Sequence, residues 1–188
     1  MSDHLPIAGS IRASGIRSGS ANPPAQLEEE VVALFDLLRH PVLRYLIGIG
    51  LPAEDAEEVL QDVFLALFQH LRDGKPRDNL GGWVFRVAHN LGLKRRGSVA
   101  REAGAAGDES LPIPDPSPNP EDQMANAQQR ARLLAVLNAL PEQDRACLHL
   151  RAEGLRYREI ADVLGISLGA VSASLTRSMA RMARADER

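Results

Sequence analysis

The stretch from Tyr157 to Arg177, YREIADVLGISLGAVSASLTR, decides the fold of the C-terminal half of the chain. Two helical patterns meet there at Gly165, a residue type that accepts the left-handed conformation of a tight turn. Ala161 is small enough to let a second helix cross closely, and Val171 is placed to anchor that helix in the core. Ser167 has the side chain of an N-cap. The spacing predicts a helix-turn-helix unit.

The second helix of such a unit enters the major groove of DNA, so its outward face carries the function. Helical periodicity directs five side chains to that face: Ser172, Ala173, Thr176, Arg177 and Arg181. Arg177 is the strongest candidate for a base or phosphate contact, because its guanidinium fork matches guanine and phosphate oxygens. The plain alternative is a helical hairpin with a glycine corner, but several independent positions agree on the DNA-binding register.

Two further helices are predicted before this unit, one ended by Pro141 and one containing Ala146 to Leu150. They are preceded by a segment of prolines, glycines and acids that cannot sustain a helix. We therefore predict a flexible acidic linker over residues 102–125 and a C-terminal domain over 126–188.

The N-terminal half carries three apolar stripes at helical spacing, which predict a domain over residues 26–101. Pro41, inside the first stripe, is expected to kink the helix or to separate two helices. The third stripe begins after Asn79, a possible cap, and its helix is expected to end at the basic segment 94–97. Gly81 and Gly82 are expected to weaken its start by up to about 1 kcal/mol each.

The second stripe is the most regular and is amphipathic. Its apolar residues recur at three- and four-residue steps from Ala56 to Leu71, and its acids fall on the opposite side. Five acids and no base lie between residues 53 and 62, whereas eight bases and two acids lie between 72 and 101. The net charge of −3 therefore hides one face suited to a basic partner and another suited to a polyanion.

Composition limits the remaining possibilities. Leucine, alanine, arginine and glutamate dominate and aromatic residues are scarce, which predicts an all-α protein of two small helical domains. Cys147 is the only cysteine, so neither a disulfide framework nor a thiolate metal cage is expected. The five histidines show no paired ligand spacing and no phosphate loop is present, so we expect no metal, no cofactor and no enzymatic activity.

The chain begins with residues 1–25, which are rich in serine, glycine and proline and predict a disordered tail. No apolar run approaches the length of a membrane span or a secretory signal, so we expect a soluble, cytoplasmic protein. Nothing resembles a heptad seam, and a monomer is expected for the free chain.

Taken together, these segments resemble the extracytoplasmic-function (ECF) sigma factors of bacterial RNA polymerase. The segment AEDAEEVLQDVFLAL resembles the acidic helix of their region 2, and GGWVFRVAHNLGLKRR resembles the promoter-melting helix that follows. The segment from Leu137 to Met182 resembles region 4. The resemblance covers residues 31–101 and 127–184.

The resemblance implies a sigma factor that directs core polymerase to promoters. It also implies three functional surfaces on the chain. A polymerase-docking face is implied at Asp55, Glu58, Gln61 and Asp62, opposite the clamp coiled coil of the largest subunit. Capture of the −10 non-template strand is implied at Lys75, Arg77, Asn79, Trp83, Arg86, His89, Asn90, Lys94 and Arg95. Recognition of −35 DNA is implied at Ser172, Ala173, Thr176 and Arg177, with Arg181 on the same face. An anti-sigma factor is a further possible partner.

This chain departs from the family at two positions of the recognition helix. Many members carry basic residues at the positions of Ser172 and Ser174, so the strength and sequence choice of −35 binding stay open. Two other interpretations are a stand-alone helix-turn-helix regulator and a degenerate sigma-like interaction module. A stand-alone regulator would lack the acidic docking helix, which this chain has.

Overall fold

In a computed structural model, residues 24–102 and 120–186 are described, and all regular structure in these ranges is helical. The helices are α1 (Pro24–Gly48), α2 (Ala53–Arg72), α3 (Leu80–Glu102), α4 (Pro120–Asn138), α5 (Glu142–Ala152), α6 (Tyr157–Leu164) and α7 (Leu168–Asp186). The predicted all-α class is confirmed. Most of the predicted tail and linker lies outside the described residues.

Helix α4 begins at Pro120, six residues before the predicted start of the C-terminal domain at residue 126. Proline is tolerated in the first turn of a helix because the N–H group that it lacks would have no intrahelical acceptor there. The last residues of the predicted linker are therefore helical.

Pro41 lies inside the single helix α1 and does not separate two helices. A proline in a helix interior removes one backbone hydrogen bond and costs about 3 kcal/mol. Pro41 is itself buried, and Leu38, Val42 and Tyr45 on either side of it are 2% exposed or less. Packing of this face offsets the lost bond, so the helix continues.

Helices α1, α2 and α3 pack against one another around an apolar core. The rings of Phe35 and Phe64 meet edge to face with centroids 4.9 Å apart. Gly92 allows α3 to approach α1 closely, because a Cβ at that position would lie 2.9 Å from Leu46 Cδ2 and 3.1 Å from Ile49 Cδ1.

The predicted end of α3 at residues 94–97 is wrong, since the helix continues to Glu102. A glycine ends a helix by adopting a positive φ, and Gly97 is not among the residues with positive φ. Arg101 Nε instead donates a hydrogen bond to the Gly97 carbonyl oxygen at 2.8 Å.

The helix-turn-helix formed by α6 and α7 has the predicted register. Gly165 is left-handed (φ 66°), and its N–H donates to the Ala161 carbonyl oxygen. Ser167 Oγ accepts a hydrogen bond from the Ala170 N–H at 3.1 Å, which caps α7. Val171 is fully buried.

The two halves of the molecule are in contact, because α5 packs against α1 and α6 packs against α3. Buried apolar residues from both halves belong to one cluster. Within the described ranges, no single helix is long and apolar enough to cross a membrane, and the pair α6 and α7, bent by 106°, meets only the criteria of length and composition.

Candidate nucleic-acid and polymerase interfaces

The outward face of α2 is acidic, but its predicted docking residues are not all exposed. Glu58, Gln61 and Asp62 are exposed, with 64% of the Glu58 side chain open to solvent. Asp55 is only 14% exposed and accepts a hydrogen bond from Arg95 Nε at 2.6 Å. Three of the four predicted docking residues therefore lie on an accessible face, while Asp55 ties α2 to α3.

A stripe of exposed polar and basic side chains runs along α3. Arg86, Asn90 and Lys94 recur at four-residue steps, and all three are exposed. This spacing places them on one side of the helix, where they can follow a phosphate backbone. We call these three residues the α3 stripe.

Two other predicted −10 residues of α3 do not belong to this stripe. His89 Nδ1 is 2.7 Å from the hydroxyl of the fully buried Tyr45, and burial lowers the pKa of His89. Arg95 contacts both Asp55 and Glu58, with its NH2 group 3.0 Å from Glu58 Oε2. Both side chains hold helices together in this structure.

The loop before α3 presents cations near the start of that helix. Lys75 and Arg77 are exposed, and each has an acidic neighbour: Lys75 lies 3.6 Å from Asp73, and Arg77 pairs with Glu30 of α1. Asn79 has a positive φ of 53°, and its Oδ1 accepts a hydrogen bond from the Gly82 N–H at 3.1 Å. The predicted cap is confirmed.

Trp83 packs inside this domain. Its ring is half-buried and lies against His70, with the ring centroids 4.5 Å apart. His70 Nε2 is in turn 2.8 Å from the Pro76 carbonyl oxygen, so the contact joins α2, the loop and α3.

The recognition helix α7 exposes all five residues that the sequence placed on its DNA-facing side. Thr176 Oγ1 donates a hydrogen bond to the Ser172 carbonyl oxygen at 2.9 Å. Arg177, which is 54% exposed, donates through NH2 and Nε to Asp144 of α5 at 2.8 and 3.3 Å. Asp144 therefore fixes the orientation of Arg177, the strongest candidate from the sequence for a base or phosphate contact.

Asp144 is the centre of a small buried network. It is 2% exposed and also accepts a hydrogen bond from Ser174 Oγ at 2.6 Å. Burial acts to raise the pKa of Asp144, but the hydrogen bonds from Arg177 and Ser174 and the nearby positive charge outweigh burial and lower the pKa. Ser174 is fully buried, so it does not belong to the DNA-facing surface.

Comparisons with known proteins agree with this geometry. Residues 34–102 match the family described as Sigma-70 region 2, and residues 130–182 match Sigma-70, region 4. The ECF RNA polymerase sigma factor ShbA of Streptomyces griseus subsp. griseus is 32% identical over 131 residues, which are 68% of this chain and 67% of ShbA. The chain belongs to the ECF sigma factors.

Other relatives of this sigma factor cover the chain to different extents. The ECF RNA polymerase sigma factor SigE of Mycolicibacterium smegmatis is 35% identical over 127 residues, 65% of this chain and 48% of SigE, so the match spans about half of that relative. The ECF RNA polymerase sigma factor RpoE of Cereibacter sphaeroides is 28% identical over 158 residues, 82% of this chain and 85% of RpoE.

Two solved structures share the fold of this sigma factor. The sigma factor RpoE in complex with the anti-sigma factor NepR from Bartonella quintana has a TM-score of 0.67 at 18% identity, covering 84% of this chain and 96% of that chain. CnrH in complex with the cytosolic domain of CnrY has a TM-score of 0.60 at 23% identity, covering 85% and 92%.

As a sigma factor, the chain directs RNA polymerase in transcription initiation, and the proteins of its family are regulators and not enzymes. The region 2 match falls within α1 to α3, and the region 4 match falls within α4 to α7. Among the described residues, no cluster of three or more histidine, cysteine or acidic side chains is arranged to hold a metal ion.

Sequence reasoning did not identify two residues of region 4 that lie beside the predicted −35 surface. Leu168 is the first residue of α7 and is 51% exposed, and its position directly after the Ser167 cap is the signal that could have identified it. Asp144 has no such signal, because its partner Arg177 lies 33 residues further along the chain.

Proposed function

We propose that this sigma factor captures the −10 non-template strand with the α3 stripe and the loop residues Lys75 and Arg77. The α3 stripe and the loop supply exposed cations on one domain, which suits the backbone of a single strand. His89, Arg95 and Trp83 support the helix in this proposal rather than contact DNA, because their side chains are engaged within region 2.

Region 4, in the same proposal, places α7 in the major groove of the −35 element. Arg177 contacts a phosphate at the groove edge, since Asp144 holds its guanidinium in one direction. Ser172, Ala173 and Thr176 face the base edges, with Arg181 further along the helix on the phosphate side.

The acidic face of α2 is the proposed contact with core polymerase. The single observation that carries the whole proposal is the juxtaposition, on region 2, of the accessible carboxylates of Glu58 and Asp62 with the α3 stripe on a neighbouring helix. One domain can then hold polymerase and DNA at the same time.

The proposal includes regulation by a protein partner, a cytoplasmic location and no catalytic activity of the chain's own. The RpoE structure that shares this fold contains an anti-sigma factor, which supports a partner of that class here. A factor that acts on RNA polymerase works where the polymerase is, in the cytoplasm.

Run-off transcription with purified bacterial core polymerase tests the proposal directly. DNA from upstream of the chain's own gene is transcribed with and without the protein. Specific initiation only in its presence is the expected result. Duplex binding that persists without any binding to core polymerase would support a stand-alone regulator and contradict the proposal.

The docking face has a matched control on α1. Glu58→Lys together with Asp62→Lys should abolish binding to core polymerase and initiation while the helical content stays unchanged. Asp36→Lys reverses an exposed charge on a different helix of region 2 and should leave both intact. Equal effects of the two changes would remove the α2 face from the proposal.

A further inference from the structure

The DNA-facing side of α7 offers fewer hydrogen-bond donors than its sequence suggests. The Thr176 hydroxyl donates to the Ser172 carbonyl oxygen, and two nitrogen atoms of Arg177 donate to Asp144. Ser174, at a position where many members of the family have a basic residue, is fully buried. Of the five predicted contact residues, Ser172 and Arg181 keep exposed donors, so an arginine fork for guanine is left to Arg181 at the far end of this side.

Apolar surface takes the place of these donors. Leu168, Ser172, Thr176 and Met179 follow one another at steps of four, four and three residues, which places them on one side of the helix. Leu168 and Met179 are 51% and 53% exposed, and they are two of the few large hydrophobic residues that the described part of the chain exposes.

The thymine 5-methyl is the apolar group that distinguishes bases in the major groove. We infer that α7 recognises T·A base pairs in the −35 element through thymine methyl groups, with Leu168 and the Thr176 methyl as the contacting groups. This inference rests on the proposed binding of −35 DNA by region 4. It accounts for an exposed leucine at the N-terminal end of a recognition helix, the end that contacts base edges.

Replacing thymine by deoxyuridine removes only the methyl group and so tests the inference cleanly. Duplexes with a randomised upstream element are selected with the holoenzyme of core polymerase and this chain, and each thymine of the selected element is then replaced. We expect at least one position at which the replacement weakens binding about fourfold, the effect of one buried methyl group.

A protein variant closes the thermodynamic cycle. Leu168→Ala should bind the thymine duplex less tightly and should no longer distinguish thymine from uracil at one of those positions. Leu37→Ala removes another exposed leucine, on α1, and should behave as the unaltered chain does. Uracil tolerated at every position would overturn the methyl readout while leaving −35 binding intact, whereas failure to select any element would overturn the binding itself.

A second, independent observation concerns the seam between regions 2 and 4. Arg44 of α1 makes a bidentate contact with Glu153, which follows α5: Nε to Oε1 is 2.9 Å and NH2 to Oε2 is 2.6 Å. Glu153 is only 8% exposed, so this pair is partly desolvated. Paired charges of this kind become costly when one partner is removed.

A second arginine joins the halves on the side of α3. Arg96 NH1 donates to the Ile49 carbonyl oxygen at 2.6 Å, and Arg96 NH2 pairs with Glu142 of α5. Between the two arginine contacts, the ring of His149 covers Gly48 so closely that a Cβ there would lie 2.5 Å from the ring.

Promoter geometry is incompatible with this arrangement. About 25 base pairs separate positions −35 and −10, which is about 85 Å of duplex. A compact chain of 188 residues has a radius of gyration of about 16 Å, or a diameter of about 40 Å. Regions 2 and 4 cannot reach both elements while they are in contact.

We propose that the Arg44–Glu153 and Arg96–Glu142 pairs latch the free sigma factor in a closed form that must open before it spans a promoter. The latch disfavours binding of promoter DNA in the absence of polymerase. The closed form is a property of the free chain and does not depend on the proposed promoter contacts. Only the expected effect of the latch on promoter binding rests on those contacts.

Charge reversal at the latch, followed by a swap, tests this proposal. Glu153→Arg should raise the radius of gyration in small-angle X-ray scattering and strengthen binding of the free chain to a duplex that carries both promoter elements several-fold. Arg44→Glu combined with Glu153→Arg should restore the compact form. Glu142→Arg is a second route to opening that leaves the Arg44 contact in place.

Glu30→Ala is the matched control, because it removes an ion pair that lies within region 2. It should leave the radius of gyration unchanged. A radius for the Glu153→Arg variant equal to that of the unaltered chain, in both low and high salt, would overturn the latch whatever the outcome of the DNA measurements.

Discussion

At the scale of single residues, the buried carboxylate of Asp144 is the clearest target in region 4. Asp144→Asn keeps the shape and can still accept the Ser174 hydrogen bond, but it loses the charge that holds Arg177. Because Arg177 is half-exposed and screened by solvent, we expect only a small loss in the free energy of unfolding at neutral pH. Urea unfolding measures it.

The pH dependence of that loss has a definite sign. The pKa of Asp144 is lowered in the folded chain, so the carboxylate contributes stability above its unfolded pKa of about 4 and loses it as the pH falls through the folded value. The difference between the Asp144→Asn variant and the unaltered chain should shrink below pH 4. Gln143→Ala, which removes no titratable group from an exposed position of α5, should show no such trend.

Local residue roles were predictable where the signal was local. Gly165, Ser167 and Val171 act as the sequence predicted because a turn, a cap and a core anchor are fixed by near neighbours. Arg177 and Arg95 were predicted to contact DNA, but each also binds a carboxylate. These carboxylates lie 33 and 40 residues away in the sequence. No short-range pattern encodes such pairs.

At the scale of elements, alanine substitutions of the two glycines at the start of α3 should have different effects on stability. The sequence alone predicted the same weakening of the helix start by both. Gly81→Ala places a methyl group in open space and should raise the free energy of unfolding by up to about 1 kcal/mol. Gly82→Ala should lose that gain, since its Cβ would lie 2.4 Å from Asn79 Nδ2 and displace the cap, which is worth about 1 kcal/mol.

Thermal and urea unfolding of the two variants distinguish these outcomes, and Asn79→Ala is the reference for complete loss of the cap. If Gly82→Ala stabilised the chain as much as Gly81→Ala, the Asn79 hydrogen bond would contribute nothing to the helix start. That result would also free Asn79 for its predicted contact with the −10 strand.

Element boundaries show where sequence patterns stop being sufficient. The apolar periods correctly predicted the buried face of α2, since burial and period coincide there. In α3 they predicted the buried Val84 and Ala88 but missed Phe85, which is 1% exposed. The expected end at Gly97 was wrong, because an unstrained glycine lets α3 continue. Of the two outcomes expected at Pro41, the separation of two helices is wrong, because the face around Pro41 is buried and α1 continues. Breaker residues alone do not decide a boundary when the flanking face is buried.

At the scale of the whole molecule, the contact between the two regions had no sequence signal. The residues that form it are polar and are assigned to solvent by helical patterns: Arg44, Arg96, Glu142 and Glu153. They meet only because α5 packs against α1 and α6 packs against α3. The sequence predicted two domains and both charged faces. Their packing against each other depends on shape and on pairs more than 40 residues apart.

Acid should open this contact, because His149 is buried at it. Burial, together with the charge of Arg145, lowers the pKa of His149 to about 4, and its Nε2 finds no hydrogen-bond partner among the described residues. An exposed histidine has a pKa of about 6.5, so the open form binds the extra proton first and the closed form loses stability as the pH falls below 6.5. By pH 5 the loss reaches about 2 kcal/mol.

Scattering at pH 7 and pH 5 should show the radius of gyration increase, and His149→Gln should abolish most of the increase. His40→Gln, at an exposed position of α1, should not. An equal increase in the His149→Gln variant would assign the opening to another group, of which His89, whose pKa is also lowered by burial, is the nearest alternative.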